Sequence, residues 1–172
     1  MVKLMPEFEK RNIKPVAMSL DTTENHLKWI KDINAFGGYD PEAPLPFPII
    51  ADSDRTIAVL LGMVKPAAIK KTGLPITARH LFVVGPDKKL KLSFIYPTTT
   101  GRNFSEVLRA MDSLQITDKY GVSTEANWQP GDRIVVPKGF PPEKADKLFV
   151  NKVEIEPLPS GKPYLQFAEL KK

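Results

Sequence analysis

The 172-residue sequence contains no cysteine and only two histidines, His26 and His80. The absence of cysteine excludes disulfides, thiolate zinc sites and any cysteine nucleophile supplied by these residues. Two histidines are too few for a histidine-rich metal site. We therefore expect neither a metal nor a cofactor.

Long apolar runs are also lacking. No run reaches the ~20 residues that a membrane-spanning helix requires. The first residues carry charge from Lys3 onwards and have no apolar stretch of the kind that a signal peptide needs. We therefore expect a cytoplasmic protein without a membrane span.

The charge balance is mildly basic, with a net charge of +5, but the lysines are scattered and form no polybasic tract. This pattern argues against a nucleic-acid partner. Hydrophobic residues make up 42% of the chain, which is enough for a buried core. The length suits one compact domain, or one domain with a small appendage.

The first ~118 residues alternate apolar strand patterns with amphipathic helix patterns and then give a hairpin and a helix. This order is typical of an α/β sandwich. The turn Gly85-Pro86-Asp87-Lys88 joins the two hairpin strands. The predicted elements are helix 4–11, strand 15–20, helix 21–36, strand 47–51, a helix starting at 52–54, loop 65–75, strands 78–84 and 90–94, and a helix from 102 or 103.

Within these helices, side-chain spacing predicts the inward face and the caps. Asp21, Thr22 and Thr23 offer N-caps for the second helix, with Leu27, Ile30 and Phe36 on its inner face. The third helix has candidate caps at residues 52–54, and Ile57, Leu60 and Leu61 are predicted to point inward.

The pattern changes at Lys119. Beyond it we predict a short strand at 133–136, a short helix at 141–149 and a second hairpin between 153–155 and 164–167. The change indicates a small accessory domain at 119–172.

Several segments, in this order along nearly the whole chain, resemble the one-cysteine peroxiredoxins of the peroxiredoxin-6 type. The resemblance implies an α/β fold: an incomplete thioredoxin-like core at 1–118 and a small C-terminal α+β dimerisation domain at 119–172. The segments are PEFEKRNIKPVAMSLD, HLKWIKDINA, LPFPIIADSDR, LLGM, TARHLFVVGPDKKLKLSFIYPTTTGRNF and LPSGKPYLQF.

The same resemblance implies what precedes these residues. The family's peroxidatic motif, Pro-x-x-x-Thr-x-x-Cys, would lie about two helical turns before Met1. The strand that feeds that helix would lie between those matching Val16–Leu20 and Leu81–Val84. Without that strand, we expect two unpaired strand edges, a truncated fold and marginal stability.

The resemblance assigns roles to three residues, each with a plainer alternative. Arg79 matches an arginine that stabilises the thiolate and the peroxide. It lies at the start of a strand that we predict to be buried, where a charge needs a partner, so it could instead close the strand end with a surface carboxylate. Arg102 matches a second pocket arginine, although an arginine near a helix start needs no such role. Asp87 matches the aspartate of a phospholipase A2 triad, but a hairpin turn also selects aspartate, and we favour the turn.

The histidines match no catalytic position. We expect His80 to be an ordinary strand residue and His26 to lie on a helix surface.

Two functions remain open from the sequence. The first is a thiol peroxidase that reduces hydrogen peroxide and organic or phospholipid hydroperoxides and is recycled by an external thiol such as glutathione. The chain would be inactive alone, because the thiolate is the nucleophile. The second is a non-catalytic homologue that acts as a dimerisation or binding module. In both, the resemblance implies a homodimer through the edge of strand 90–96 and the C-terminal domain.

Overall fold

A computed structural model describes residues 1–67, 73 and 75–171. The chain divides into two compact units, Met1–Asn103 (unit 1) and Phe104–Lys172 (unit 2). The division falls at the start of a long helix, whereas the domain boundary predicted between residues 118 and 119 falls near its end. The extent of the independently folding domains therefore stays a prediction.

Unit 1 contains the predicted helices and strands in the predicted order. The predicted loop 65–75 lies partly outside the described residues. After a 3₁₀ turn at Val2–Leu4, the elements are α1 (Met5–Lys10), β1 (Ala17–Ser19), α2 (Thr23–Gly37), β2 (Ile49–Ala51), α3 (Thr56–Leu60), β3 (Arg79–Val84) and β4 (Leu90–Tyr96).

The strands of unit 1 form two separate two-stranded sheets. β1 pairs with β2 in parallel, with Ala17 opposite Ile49. β3 pairs with β4 as the predicted antiparallel hairpin, with Arg79 opposite Tyr96. In the part of the chain that the structure describes, neither β1 nor β3 has a second strand neighbour, so each has an unpaired edge.

The side chains that accept from the first-turn amides of α2 and α3 come from the predicted clusters, although the N-cap position of α3 is Arg55. The Thr22 hydroxyl accepts a hydrogen bond from the Asn25 amide at 3.3 Å, as expected of an N-cap. Asp52 is only 2% exposed, and its carboxylate accepts hydrogen bonds from the amides of Ile57 at 3.0 Å and Ala58 at 2.7 Å. Asp52 thus satisfies two amides that the first turn of α3 leaves without partners.

The predicted inner faces of these helices are wrong at most positions: Ile30 is half-buried, but the other five residues predicted to face inward are exposed. On α2, His26 and Asn34 are buried, whereas Leu27 is 61% and Phe36 96% exposed. The Asn34 side-chain amide donates to the Ala43 carbonyl at 2.7 Å, so a polar contact holds the buried face of α2.

On α3 the error is similar, because Ala58 is fully buried while Leu60 is 82% exposed. Most of the apolar residues that the sequence assigns to the inner faces of α2 and α3 are therefore exposed. Strand β3 is also less buried than predicted. It is half-buried along its centre, and Val84 at its end is 62% exposed.

Unit 2 starts with α4 (Phe104–Tyr120) and adds a three-stranded sheet. Its other elements are β5 (Ile134–Val135), α5 (Pro142–Leu148), β6 (Glu154–Ile155) and β7 (Gln166–Ala168). β7 lies between β5 and β6 and pairs antiparallel with both. The hairpin of β6 and β7 was predicted, but the pairing of β5 with β7 was not.

Unit 2 has a closed apolar core. The buried residues that form it are Val122, Ile134, Val136, Phe149 and Ala168. Trp128 is also buried, at 1% exposure, and its indole N–H donates to the Asp132 carbonyl at 3.3 Å. Among the described residues, no helix is both long and apolar enough to cross a bilayer.

Candidate functional site

Arg79 is the first residue of β3 and is exposed. Sequence reasoning placed it in a buried strand, where its charge would need a partner; this expectation is wrong, because the strand end is open to solvent. Within the described ranges, its guanidinium has no hydrogen bond or ion pair. Water solvates the charge, so the guanidinium is available to an incoming anion.

Arg102 lies in the exposed segment just before α4, which begins at Phe104. It too lacks an ion pair or hydrogen bond within the described parts of the chain. The helix start next to it carries a partial positive charge, which disfavours a cation at this place. An anion bound near Arg102 would relieve that repulsion.

Asp87 has two bonds within the hairpin turn. One carboxylate oxygen accepts from the Lys89 amide at 3.2 Å, and the other accepts from the Lys91 ammonium at 2.9 Å. The hydrogen bond from Lys91 is the main cause that lowers the pKa of the Asp87 carboxyl, with the Lys89 amide second. Both contacts are those of a turn residue, which is the alternative that the sequence favoured.

The three predicted site residues all belong to unit 1, but no hydrogen bond or ion pair among the described residues links any two of them. The geometry therefore provides two solvated arginines and a turn aspartate rather than an assembled catalytic centre. The described residues also contain no group of three or more histidine, aspartate or glutamate side chains that could hold a metal.

Both histidines have an unsatisfied ring nitrogen. His80 lies in β3, as expected, and stacks on Phe82 with ring centroids 5.6 Å apart. His26 was expected on a helix surface, but it is 4% exposed, so that expectation is wrong. His80 Nδ1 and His26 Nε2 are buried without a hydrogen-bond partner in the described part of the chain.

A cavity of about 300 Å³ lies at the start of α2, and sequence reasoning missed it. It is lined by Ser19, Asp21, Asn25, His26 and Trp29. The spacing of Asp21, Asn25 and Trp29, each four residues apart, places them on one side of the helix start. This spacing is the signal in the sequence that could have indicated a polar site here.

A family model and individual relatives both match the sequence of this chain. The profile of the AhpC/TSA family matches residues 1–93. Peroxiredoxin-6 of Gallus gallus is 54% identical over 165 residues, which cover 96% of this chain and 74% of that protein.

Solved structures agree. A cysteine-to-serine mutant of the peroxiredoxin 6 of Arenicola marina superposes with a TM-score of 0.87 at 48% identity, over 99% of this chain and 76% of that one. A yeast mitochondrial one-cysteine peroxiredoxin, studied for thiol resolution by the glutathione and thioredoxin systems, gives a TM-score of 0.79 at 41% identity, over 98% and 76%.

Proposed function

Since the chain belongs to the AhpC/TSA family, as a one-cysteine peroxiredoxin of the peroxiredoxin-6 type, we propose that its residues form part of a thiol peroxidase site. The substrates are hydrogen peroxide and organic or phospholipid hydroperoxides. The observation that carries this proposal is the 54% identity to a peroxiredoxin-6 over 96% of the chain. The proposed setting is antioxidant defence in the cytoplasm.

The proposed reaction needs a thiolate that these 172 residues do not contain. The thiolate attacks the peroxide O–O bond, forms a sulfenic acid and releases water or an alcohol after proton transfer. One external thiol such as glutathione then condenses with the sulfenic acid, which forms a mixed disulfide and releases water. A second thiol attacks that disulfide, which releases the peroxidase thiol and leaves the two external thiols joined as a disulfide. In this proposal the cysteine comes from outside the chain as given, and these residues alone have no turnover.

Arg79 is proposed to stabilise the thiolate and the charge that develops on the departing oxygen. A guanidinium favours the charged form of a nearby thiol and donates hydrogen bonds to an oxyanion. Its exposure and its lack of a partner among the described residues support this role, because no competing carboxylate neutralises it.

Arg102 is proposed to support the same pocket. Its position before α4 adds a second unpaired cation in unit 1. Asp87 is bound to Lys89 and Lys91, which favours its role in the turn over a role in a phospholipase triad.

A homodimer through the edge of β4 belongs to the same proposal. β4 pairs with β3 on one side and, among the described residues, with no strand on the other. An unpaired edge can add a strand from a second copy. Residues 119–172 would contribute to this dimer as the C-terminal domain.

The alternative is a non-catalytic dimerisation or binding module. The absence of cysteine from the sequence favours it for the chain as given. The two proposals differ in whether peroxidase turnover appears once the family's cysteine motif is joined to the chain.

The first test is a glutathione-coupled peroxide assay on the purified, metal-free chain. We expect peroxide consumption no faster than in buffer. A saturable, thiol-dependent rate would contradict the claim that these residues are inactive alone.

The second test adds the family motif, Pro-x-x-x-Thr-x-x-Cys with its preceding strands, upstream of Met1. We expect turnover to appear, and Arg79→Met in that protein to lower the rate with peroxide by about 10²-fold or more. Lys14→Met, at an exposed lysine, is the control and should change the rate by less than about twofold. No turnover in the extended protein would favour the non-catalytic alternative.

A further inference from the structure

The cavity at the start of α2 contains a buried imidazole with an unmet hydrogen bond. His26 lines this cavity and is 4% exposed, and its Nε2 has no partner among the described residues. A buried nitrogen without a partner loses the hydrogen bond that water would have provided. The imidazole therefore forms part of the cavity wall, with this nitrogen closed off from solvent.

The polar wall of the cavity includes a carboxylate with an open acceptor. Asp21 accepts at Oδ1 from the Thr22 amide at 2.8 Å and from the Asn25 side-chain amide at 2.6 Å. These two bonds, the Asn25 contact first, lower the pKa of the Asp21 carboxyl, which is therefore anionic at neutral pH. Asp21 Oδ2 accepts no hydrogen bond in the described part of the chain.

The remaining walls add an aromatic surface, and no positively charged side chain is among the residues that line the cavity. Trp29 lines the cavity and is 52% exposed, so its indole is accessible to a ligand. The nearby lysine of the same helix, Lys28, is paired with Glu24 at 2.7 Å. A flat cation could stack on the indole and bind the carboxylate together.

We propose that the cavity formed by Ser19, Asp21, Asn25, His26 and Trp29 binds a guanidinium group. A guanidinium has five N–H donors, and the open Oδ2 of Asp21 can accept from them. It binds carboxylates and stacks on aromatic rings better than an ammonium does. The group can belong to an arginine side chain of a polypeptide or to a small free guanidine.

The test is isothermal titration calorimetry of the intact chain with three probes. Ethylguanidinium represents the free guanidine, acetyl-Gly-Arg-Gly-amide represents the arginine side chain, and ethylurea is the neutral planar control. We expect saturable binding of one or both guanidinium probes and none of ethylurea. Tighter binding of the peptide identifies a polypeptide arginine, and equal binding shows that the head group alone is recognised.

Two variants locate the binding. Asp21→Asn should weaken binding of the guanidinium probes at least about fivefold, because it removes the paired charge but keeps the shape. Asp32→Asn removes an exposed carboxylate of α2 that does not line the cavity and should leave binding unchanged. Equal affinity in Asp21→Asn and wild type, or equal binding of ethylurea, would overturn the proposal.

A measurement on the wild type avoids dependence on variant folding. In an NMR titration with ethylguanidinium, the ring resonances of His26 should shift saturably while those of His80 stay constant. A shift of His80 with a constant His26 would contradict the assignment. The outcome is independent of the peroxidase proposal, since Arg79, Arg102 and Asp87 do not line this cavity.

Discussion

Units 1 and 2 differ in where their apolar residues lie. The shorter unit 2 packs Val122, Ile134 and Phe149 into a core, and each of these three residues is at most 3% exposed. The longer unit 1 exposes apolar side chains on both helices and strands, including Phe36 at 96% on α2 and Val84 at 62% on β3.

The difference follows from the sheets. In unit 2, β7 is covered by strands on both edges, and helix and loop residues pack on the sheet. In unit 1, two separate pairs of strands leave edges and faces without neighbours among the described residues. Apolar residues thus stabilise a unit only where the topology brings a second layer over them. We infer that most of the hydrophobic stabilisation of the chain is in unit 2.

The largest expected effect tests this contrast directly. Ile134→Ala removes a fully buried side chain of unit 2 and should lower the free energy of unfolding by about 2–5 kcal/mol. Ile50→Ala, at a residue of β2 that is 40% exposed, should cost less than about 1 kcal/mol. Urea denaturation followed by far-ultraviolet circular dichroism measures both, and equal losses would show that the contrast between the units is wrong.

An intermediate effect is expected within unit 1, where a polar cap rather than apolar packing holds α3. Asp52→Ala removes the acceptor of two amides and should cost about 1–2 kcal/mol. It should also speed hydrogen exchange of the Ala58 amide, which the carboxylate now protects. Ser53→Ala, next to it and exposed, is the control. Unchanged exchange at Ala58 would mean that Asp52 does not hold the helix.

The smallest effect concerns the exposed turn of the hairpin. The hydrogen bond from Lys91 lowers the pKa of Asp87 in the folded chain. The Asp87 carboxylate therefore contributes stability at pH values above the pKa that Asp87 has in the unfolded chain. This stability is lost as the pH falls through the pKa that Asp87 has in the folded chain. Asp87→Asn should therefore be slightly less stable than wild type at neutral pH and equal to it in acid. Denaturation at several pH values measures the difference, and a constant gap would exclude this linkage.

The sequence predicted the order of elements well because local chemistry determines it. The turn Gly85–Lys88 and the alternation in β4 specify a hairpin, and Thr22 is a strong N-cap. The resemblance of the quoted segments predicted the thioredoxin-like peroxiredoxin fold, which the family and structural matches confirm.

The sequence failed where burial depends on residues distant in the chain. It placed Leu27 inward and His26 outward, since periodicity shows that a helix has two faces but not which neighbours cover them. It missed that β5 would pair with β7, because both strands are too short to indicate a partner. The exposure of Arg79 was missed for the same reason, and the roles of Arg79, Arg102 and Asp87 stay predictions.

The placement of the two tryptophans gives the chain a built-in optical readout. Trp29 in unit 1 is 52% exposed and Trp128 in unit 2 is 1% exposed. Water around Trp29 shifts its fluorescence emission to longer wavelength and admits a soluble quencher such as iodide, whereas Trp128 emits at shorter wavelength and is shielded. Emission recorded with and without iodide can therefore separate changes in unit 1 from changes in unit 2 without any added label.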